Sequence, residues 1–210
     1  LSGSAQPTEP LEHYQQRVFD MLLDEETRRA FKINDEPERQ HLRYGPHVLG
    51  QSLLTARRLT GAGVPLVTVY AAAGDLNGSA GAHFDTHADG YNRLKKQMLP
   101  PLDQGLSALL DDLHESGRID DTLVVLLTEF GRTPKINKSA GRDHWSKVAC
   151  GLLAGGGMQT GQVIGTTNHY AEEPVDRPVH FRDGPHQRPR TRLGGRWPRG
   201  RARVRLRLGL

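Results

Sequence analysis

Leu11, Tyr14, Val18, Phe19, Leu22 and Leu23 recur at three- and four-residue intervals behind Thr8 and Pro10, which sit where a helix start wants them. That spacing predicts one face of an amphipathic helix. A second, shorter helix is expected from Glu36 to Arg43, opened by Asp35 with Pro37 in its first turn and closed near Gly45. A third runs from about Pro46 to Thr60, turning Val48, Leu49, Leu53 and Leu59 inward, and stops at Gly61-Ala62-Gly63. Val64-Pro65-Leu66-Val67-Thr68-Val69-Tyr70 follows at once, short, apolar and β-branched, as a buried strand is.

The loop from Ala71 to His83, rich in Gly, Ala and Ser, leads into Phe84-Asp85-Thr86-His87. A long helical region then extends from about Tyr91 to Ser116, interrupted at Pro100-Pro101, with Leu102, Leu106, Leu109, Leu110 and Leu113 on one face. Thr122 to Thr128 is the clearest buried strand, and a third strand is expected from Lys147 to Leu153, beyond a polar loop. Helices alternating with strands in this order predict an α/β protein with a mostly parallel sheet flanked by helices. Residues 1–183 form one domain or part of one, with no internal repeat.

Composition narrows the class. The 210 residues are 36% hydrophobic and 25% charged with one cysteine, which excludes collagen, disulfide-scaffold and coiled-coil architectures. No apolar run approaches the roughly 18–20 residues of a membrane span. Cys150 cannot form an internal disulfide, and within the expected third strand it reads as a small core residue. The net charge of +4 is unevenly placed: residues 184–210 hold 9 Arg and no acidic residue, so residues 1–183 carry 19 of the 28 basic residues against all 24 acidic ones. An acidic body argues against nucleic-acid binding. The tail, almost entirely Arg, Gly, Pro and Leu, shows no helix or strand period and is expected to be disordered. A basic nucleic-acid-binding arm is one explanation, and a frame slip in a GC-rich gene is the favoured one. With Leu1-Ser2-Gly3 at the start and no signal-peptide pattern, the chain is expected to be an internal fragment of a longer protein.

In open α/β sheets ligands sit beyond the carboxyl ends of strands. Three polar clusters fall at such places: Asp85 and His87 after the first strand and its loop, Glu129 and Arg132 after the second, and Asp143 and His144 before the third. Carboxylates with imidazoles suit a divalent cation such as zinc, manganese or magnesium, and a two-metal hydrolytic centre would use such ligands on a phosphate or sulfate ester, with Arg132 clamping the anion. Blander roles stay open. Asp85 suits a helix cap, His87 a surface position in a first turn, Arg132 a salt bridge to Glu129, and His144 a packed loop beside Trp145. His83 is left out of the site because Gly81 and Phe84 make a helix there doubtful. The Gly155-Gly156-Gly157 run reads as a turn, since it lacks the lysine and hydroxyl of a P-loop. Ser52 and Ser146 lack a nucleophile elbow. Asp111, Asp112 and Glu115 read as the solvated side of the leucine helix.

Phe84-Asp85-Thr86-His87, Leu102-Asp103, Leu109-Leu110-Asp111-Asp112-Leu113, Thr122-Leu123-Val124-Val125, Glu129 through Asn137, Gly141-Arg142-Asp143-His144-Trp145 and Ala154-Gly155-Gly156-Gly157 together resemble the DUF1501 family. This is a large uncharacterised bacterial family abundant in planctomycetes, and the likeness spans roughly Phe31 to Val179. The resemblance implies the alkaline phosphatase and sulfatase fold, incomplete at both ends of this chain, with metal at the carboxyl edge of the sheet. It matches Asp85 and His87 to an Asp and His of one metal site, Glu129 to the Asp of an Asp-His pair, and His144 to a later metal histidine. Phe130 occupies the histidine position of that pair, which removes one ligand from a two-metal centre. The nucleophile falls in an N-terminal portion that this chain lacks.

The expectation is thus a fragment of a metal-dependent hydrolase acting on sulfate or phosphate esters, itself inactive. Asp85, His87, Glu129 and His144 are the metal ligands, and Arg132 and Asp143 contact substrate. The cofactor is a divalent metal (zinc, manganese, magnesium or calcium), and the partner a small anionic ester or a sulfated or phosphorylated glycan. The alternative is a non-catalytic protein of the same fold that binds a surface glycan or a protein. Nucleic-acid binding through the Arg tail comes last. By the resemblance the location is periplasmic or otherwise exported.

Overall fold

The computed structural model describes residues 11–71, 83–158, 161–176 and, by backbone alone, 204–209. Helix α1 (Leu11–Leu23) forms where the period predicts it, but its apolar stripe is not buried: Leu11, Phe19 and Leu23 are exposed. Asp24 caps α2 (Glu25–Ala30), its carboxylate accepting from the Thr27 amide at 2.7 Å. Helix α3 (Glu38–Tyr44) starts behind Pro37 rather than at Asp35, because Ile33–Asp35 is taken up by a 3₁₀ turn. Helix α4 (Val48–Gly61) buries Leu49, Leu53, Leu54 and Leu59, while Val48, expected inside, is exposed.

The long helical region is continuous. Helix α5 (Gly90–Arg93) passes through a π turn at Leu94–Met98 into α6 (Leu99–Glu115). Pro100 and Pro101 fall in the first turn of α6, directly after the π turn, so they mark a change of helix type and do not end the helical region. Tyr44, Leu49, Leu53, Leu54, Leu109 and Leu113 form the core, joined by Val69 of β1 (Leu66–Tyr70) and Val124 of β2 (Thr122–Leu127). Gly105 makes the α4–α6 approach possible: a Cβ there would stand 2.9 Å from Leu53 Cδ1 and 3.4 Å from Gly50 Cα.

The expected sheet is not what the chain forms. Strands β1 and β2 do not pair with each other, and β2 pairs antiparallel with β5 (Gly151–Gly155). Two further antiparallel pairs are minimal, β3 (Gly131–Arg132) with β4 (His144–Trp145) and β6 (Thr166–Thr167) with β7 (Pro174–Asp176). Among the described residues parallel pairing is confined to β8 (Val204–Gly209), which lies between β1 and β2. Among the described residues there is no extended parallel sheet beyond these pairs with β8, which overturns the mostly parallel, alkaline phosphatase-like α/β fold. The physical reason is the connection from Thr128 to Cys150, which contains no helix. Without a crossover helix the chain returns to β2 from the opposite direction.

Strand β8 itself falls in the tail read as lacking any period, where Val204, Leu206 and Leu208 alternate with Arg205 and Arg207 at the period of a strand. Residues 184–203 lie outside the described residues. Cys150, placed inside a strand by the sequence, precedes β5 and is exposed. No helix among the described residues is long and apolar enough to cross a membrane.

Asp112, expected on the solvated side of α6, is buried instead. Its Oδ1 accepts from Arg43 Nη1 at 2.6 Å, and its Oδ2 accepts from Tyr44 Oη at 2.9 Å and stands 3.3 Å from Arg57 Nε. Burial and the neighbouring carboxylate both push the Tyr44 phenol far above its usual range, so it stays a donor. Asp112→Ala would leave the buried Tyr44 hydroxyl without its acceptor, while Arg43 keeps Glu115 and Arg57 keeps Glu36, and we expect a loss of about 1–3 kcal/mol in urea unfolding. A change below 1 kcal/mol would mean that the ion pairs contribute little.

Helix α4 is capped by an imidazole: His47 Nδ1 accepts from the Gly50 amide at 2.9 Å. His47 Nε2 is buried without a well-formed hydrogen bond, although the Gln104 carboxamide lies beside it. Burial lowers the His47 pKa, against a smaller opposing pull from Gln104. Protonation would remove the acceptor and place a positive charge at a helix N-terminus. A depressed folded pKa means stability present above the unfolded value of about 6.5 and lost as pH falls through the folded one. The His47→Asn variant keeps a capping oxygen that does not titrate. It should lose less thermal stability than the parent between pH 7.5 and 5.5, and equal losses would exclude the histidine cap as a source of acid sensitivity.

Candidate metal centre

Two irregular segments meet outside the helical core. Residues 85–90 run beside residues 139–142, joined by Arg142 N to Thr86 O at 3.1 Å, Asp89 N to Ser139 O at 2.9 Å and Gly90 N to Ala140 O at 2.9 Å. Gly141 is required at this crossing, since a Cβ there would lie 2.1 Å from the His87 carbonyl carbon and oxygen. The β3–β4 ladder sets Arg132 opposite His144. These contacts bring residues distant in sequence to one place.

Asp85, His87 and His144 form the one group of three or more such side chains among the described residues whose donor atoms fit around a metal ion. His87 Nε2 lies 3.1 Å from Asp85 Oδ1 and 3.1 Å from His144 Nε2, and His144 Nε2 lies 2.9 Å from Asp85 Oδ1. All three side chains are about half exposed, at 50%, 45% and 50% in that order, so the cluster opens to solvent. Behind it, His87 Nδ1 stands 2.9 Å from Asp143 Oδ1. The hydrogen bonds from His87 and Asn137 hold the Asp143 carboxyl below its usual range. An ionised carboxylate only accepts, so His87 Nδ1 is the donor and, in the neutral ring, Nε2 presents its lone pair to Asp85 and His144.

Burial works to raise the Asp85 pKa, but the hydrogen bonds from His144 and Arg132, with the Arg132 charge, outweigh it and hold it at about 2. With His144 Nε2 as donor, one proton faces two acceptors, Asp85 Oδ1 and His87 Nε2.

Arg132 is engaged rather than free. Its Nη2 bonds Asp85 Oδ1 and, at 3.2 Å, the Phe84 carbonyl, while Nη1 reaches the Arg142 carbonyl at 3.2 Å. It therefore pairs with Asp85 and not with Glu129. Glu129 is exposed and falls outside the three-residue group. Phe130 packs its ring against His144, with centroids 4.1 Å apart, and Arg132 stands 5.8 Å from the same ring. Asp85 caps no helix, because α5 begins at Gly90 behind Asp89. His83 lies apart from the group, 3.5 Å from Arg93 Nη2.

Asn137, quoted from the sequence only as the end of a motif and given no role there, is the polar hub of the loop. Its Nδ2 donates to the His87 carbonyl at 2.9 Å and to Asp143 Oδ1 at 3.1 Å, while its Oδ1 accepts from the Ser139 and Gly141 amides at 3.0 Å each. The available signal was an Asn between Pro134 and Gly141, a residue type that bonds backbone two to four positions on.

No curated protein and no solved structure matches the chain. The match found is to the family described as DUF1501, protein of unknown function, over residues 3–184. With most of its length covered by that match, the chain belongs to the DUF1501 family.

Proposed function

We propose that Asp85, His87 and His144 hold one divalent cation, and that the site hydrolyses sulfate or phosphate esters. The observation that carries the reading is the mutual spacing of the three donor atoms, 2.9–3.1 Å. Donors placed tetrahedrally around zinc at about 2.0–2.1 Å stand roughly 3.3 Å from one another. Three protein donors with an open side make up the donor set of catalytic rather than structural zinc sites. Two imidazoles among the three favour zinc or manganese over the oxygen-seeking magnesium and calcium.

The outer contacts suit the same purpose. A metal-binding histidine commonly donates its second N–H to a carboxylate, as His87 does to Asp143. Arg132 orients Asp85 and places positive charge at the mouth of the cluster, where an anionic ester would arrive. Phe130 shields one face of the His144 ring from water. A divalent ion there supplies Lewis-acid polarisation of an ester oxygen and makes water more acidic.

A second reading, metal-dependent binding of a sulfated or phosphorylated glycan or of a protein without turnover, is favoured by one observation. Among the described residues, no Ser, Thr or Cys side chain is hydrogen-bonded to Asp85, His87 or His144.

Calorimetric titration of the purified chain at pH 7.5 with zinc, manganese, magnesium and calcium separates these outcomes. We expect stoichiometric zinc or manganese, weakened at least about tenfold in His87→Ala and in His144→Ala. Absence of stoichiometric binding by every ion would overturn the metal site. Metal binding by a complete DUF1501 homologue that leaves aryl sulfate and aryl phosphate intact would favour the second reading.

A further inference from the structure

Resting on the metal reading above, we propose that Asn137 is a positioning residue that fixes the tautomer and direction of His87 by holding Asp143. Its amide makes four hydrogen bonds, the full capacity of the group. The orientation is unambiguous. Both partners of the nitrogen, the His87 carbonyl and the Asp143 carboxylate, only accept, and both partners of the oxygen are backbone N–H groups.

The placement has a specific consequence. One amide nitrogen grips His87 at two ends: at its main-chain oxygen, and through the same Asp143 Oδ1 that receives the Nδ1 proton. Asp143 is more than half exposed, so without that grip its carboxylate is free to turn toward water. His87 would then lose the acceptor that keeps the proton on Nδ1. A proton moved to Nε2 would occupy the lone pair that faces Asp85 and His144. Asn137 acts on the cluster through Asp143 and touches none of the three donor atoms.

The test uses the ring nitrogens themselves. In metal-free protein at pH 8, two-dimensional ¹⁵N spectra of His87 should show the Nδ1–H tautomer in the parent and a substantial Nε2–H population in Asn137→Asp. That variant keeps the oxygen that accepts from Ser139 and Gly141, so the loop turn is retained, and it replaces the nitrogen that donates to both the His87 carbonyl and Asp143. Asn137→Ala should weaken zinc about 10–100-fold, the scale of outer-shell partners. If the effect runs through Asp143, the Asn137→Ala/Asp143→Ala pair should lose no more than Asp143→Ala alone. An unchanged His87 tautomer in Asn137→Asp, or losses that multiply in the double variant, would overturn the proposal. A parent that binds none of the four ions, with the tautomer shift still present in Asn137→Asp, would refute the metal reading and leave the positioning role of Asn137 standing.

Discussion

A single carboxylate buried where three helices meet organises this molecule. Asp112 comes from α6 and takes hydrogen bonds from Arg43 and Tyr44 of α3, with Arg57 of α4 in ion-pair contact. An unpaired charge at that depth would cost several kcal/mol, so α6 cannot slide along α3 and α4 without uncovering it. The leucines around it give the adhesion, and the carboxylate gives the register. That register reaches the surface, because α6 continues backward through the π turn into α5, whose first amide, Gly90 N, bonds the Ala140 carbonyl. The segment bearing Asp85 and His87 is thereby seated against the loop bearing Asp143 and His144.

The parts legible in the sequence are those where a local pattern and tertiary burial agree. Leu49, Leu53, Leu109 and Leu113 follow a helical period and are buried, and Thr122–Leu127 reads as a strand and forms one. What was illegible depends on partners far away in the chain. Asp112 looks like a neighbour of Asp111 on a wet face until Arg43, 69 residues earlier, is brought to it. The direction of β5 follows from the absence of a helix between it and β2, and burial patterns alone do not report strand direction. Phe19 and Leu23 satisfy an amphipathic pattern without any burial in the described structure, because a period specifies a face and not what meets it.

The cluster was legible in its residues and not in its architecture. Asp85, His87 and His144 were read as residues at the carboxyl ends of parallel strands, yet the structure assembles them from a two-residue antiparallel ladder and a bridged pair of loops. The same reasoning brought in Glu129, whose position just after β2 carries it outward once the chain turns into β3. Phe130 packs on the ring of His144. Asn137 escaped because its role exists only after Gly141 has allowed the backbones to touch.

A half-exposed cluster of charged side chains would ordinarily be loose, since each long-lived contact must offset the entropy of ordering its groups. Here the ordering is distributed through backbone: the Arg142 guanidinium reaches back to the carbonyls of Thr133 and Pro134, Thr133 N bonds the Asp143 carbonyl, and Asn137 closes the turn between them. Each of these contacts fixes main chain on one side of a cluster residue, so Asp143 and His144 inherit their positions from the loop and not from burial. Three donor atoms that face one another can therefore stand in solvent without a core around them, which leaves the open side of the cluster accessible to whatever the protein binds.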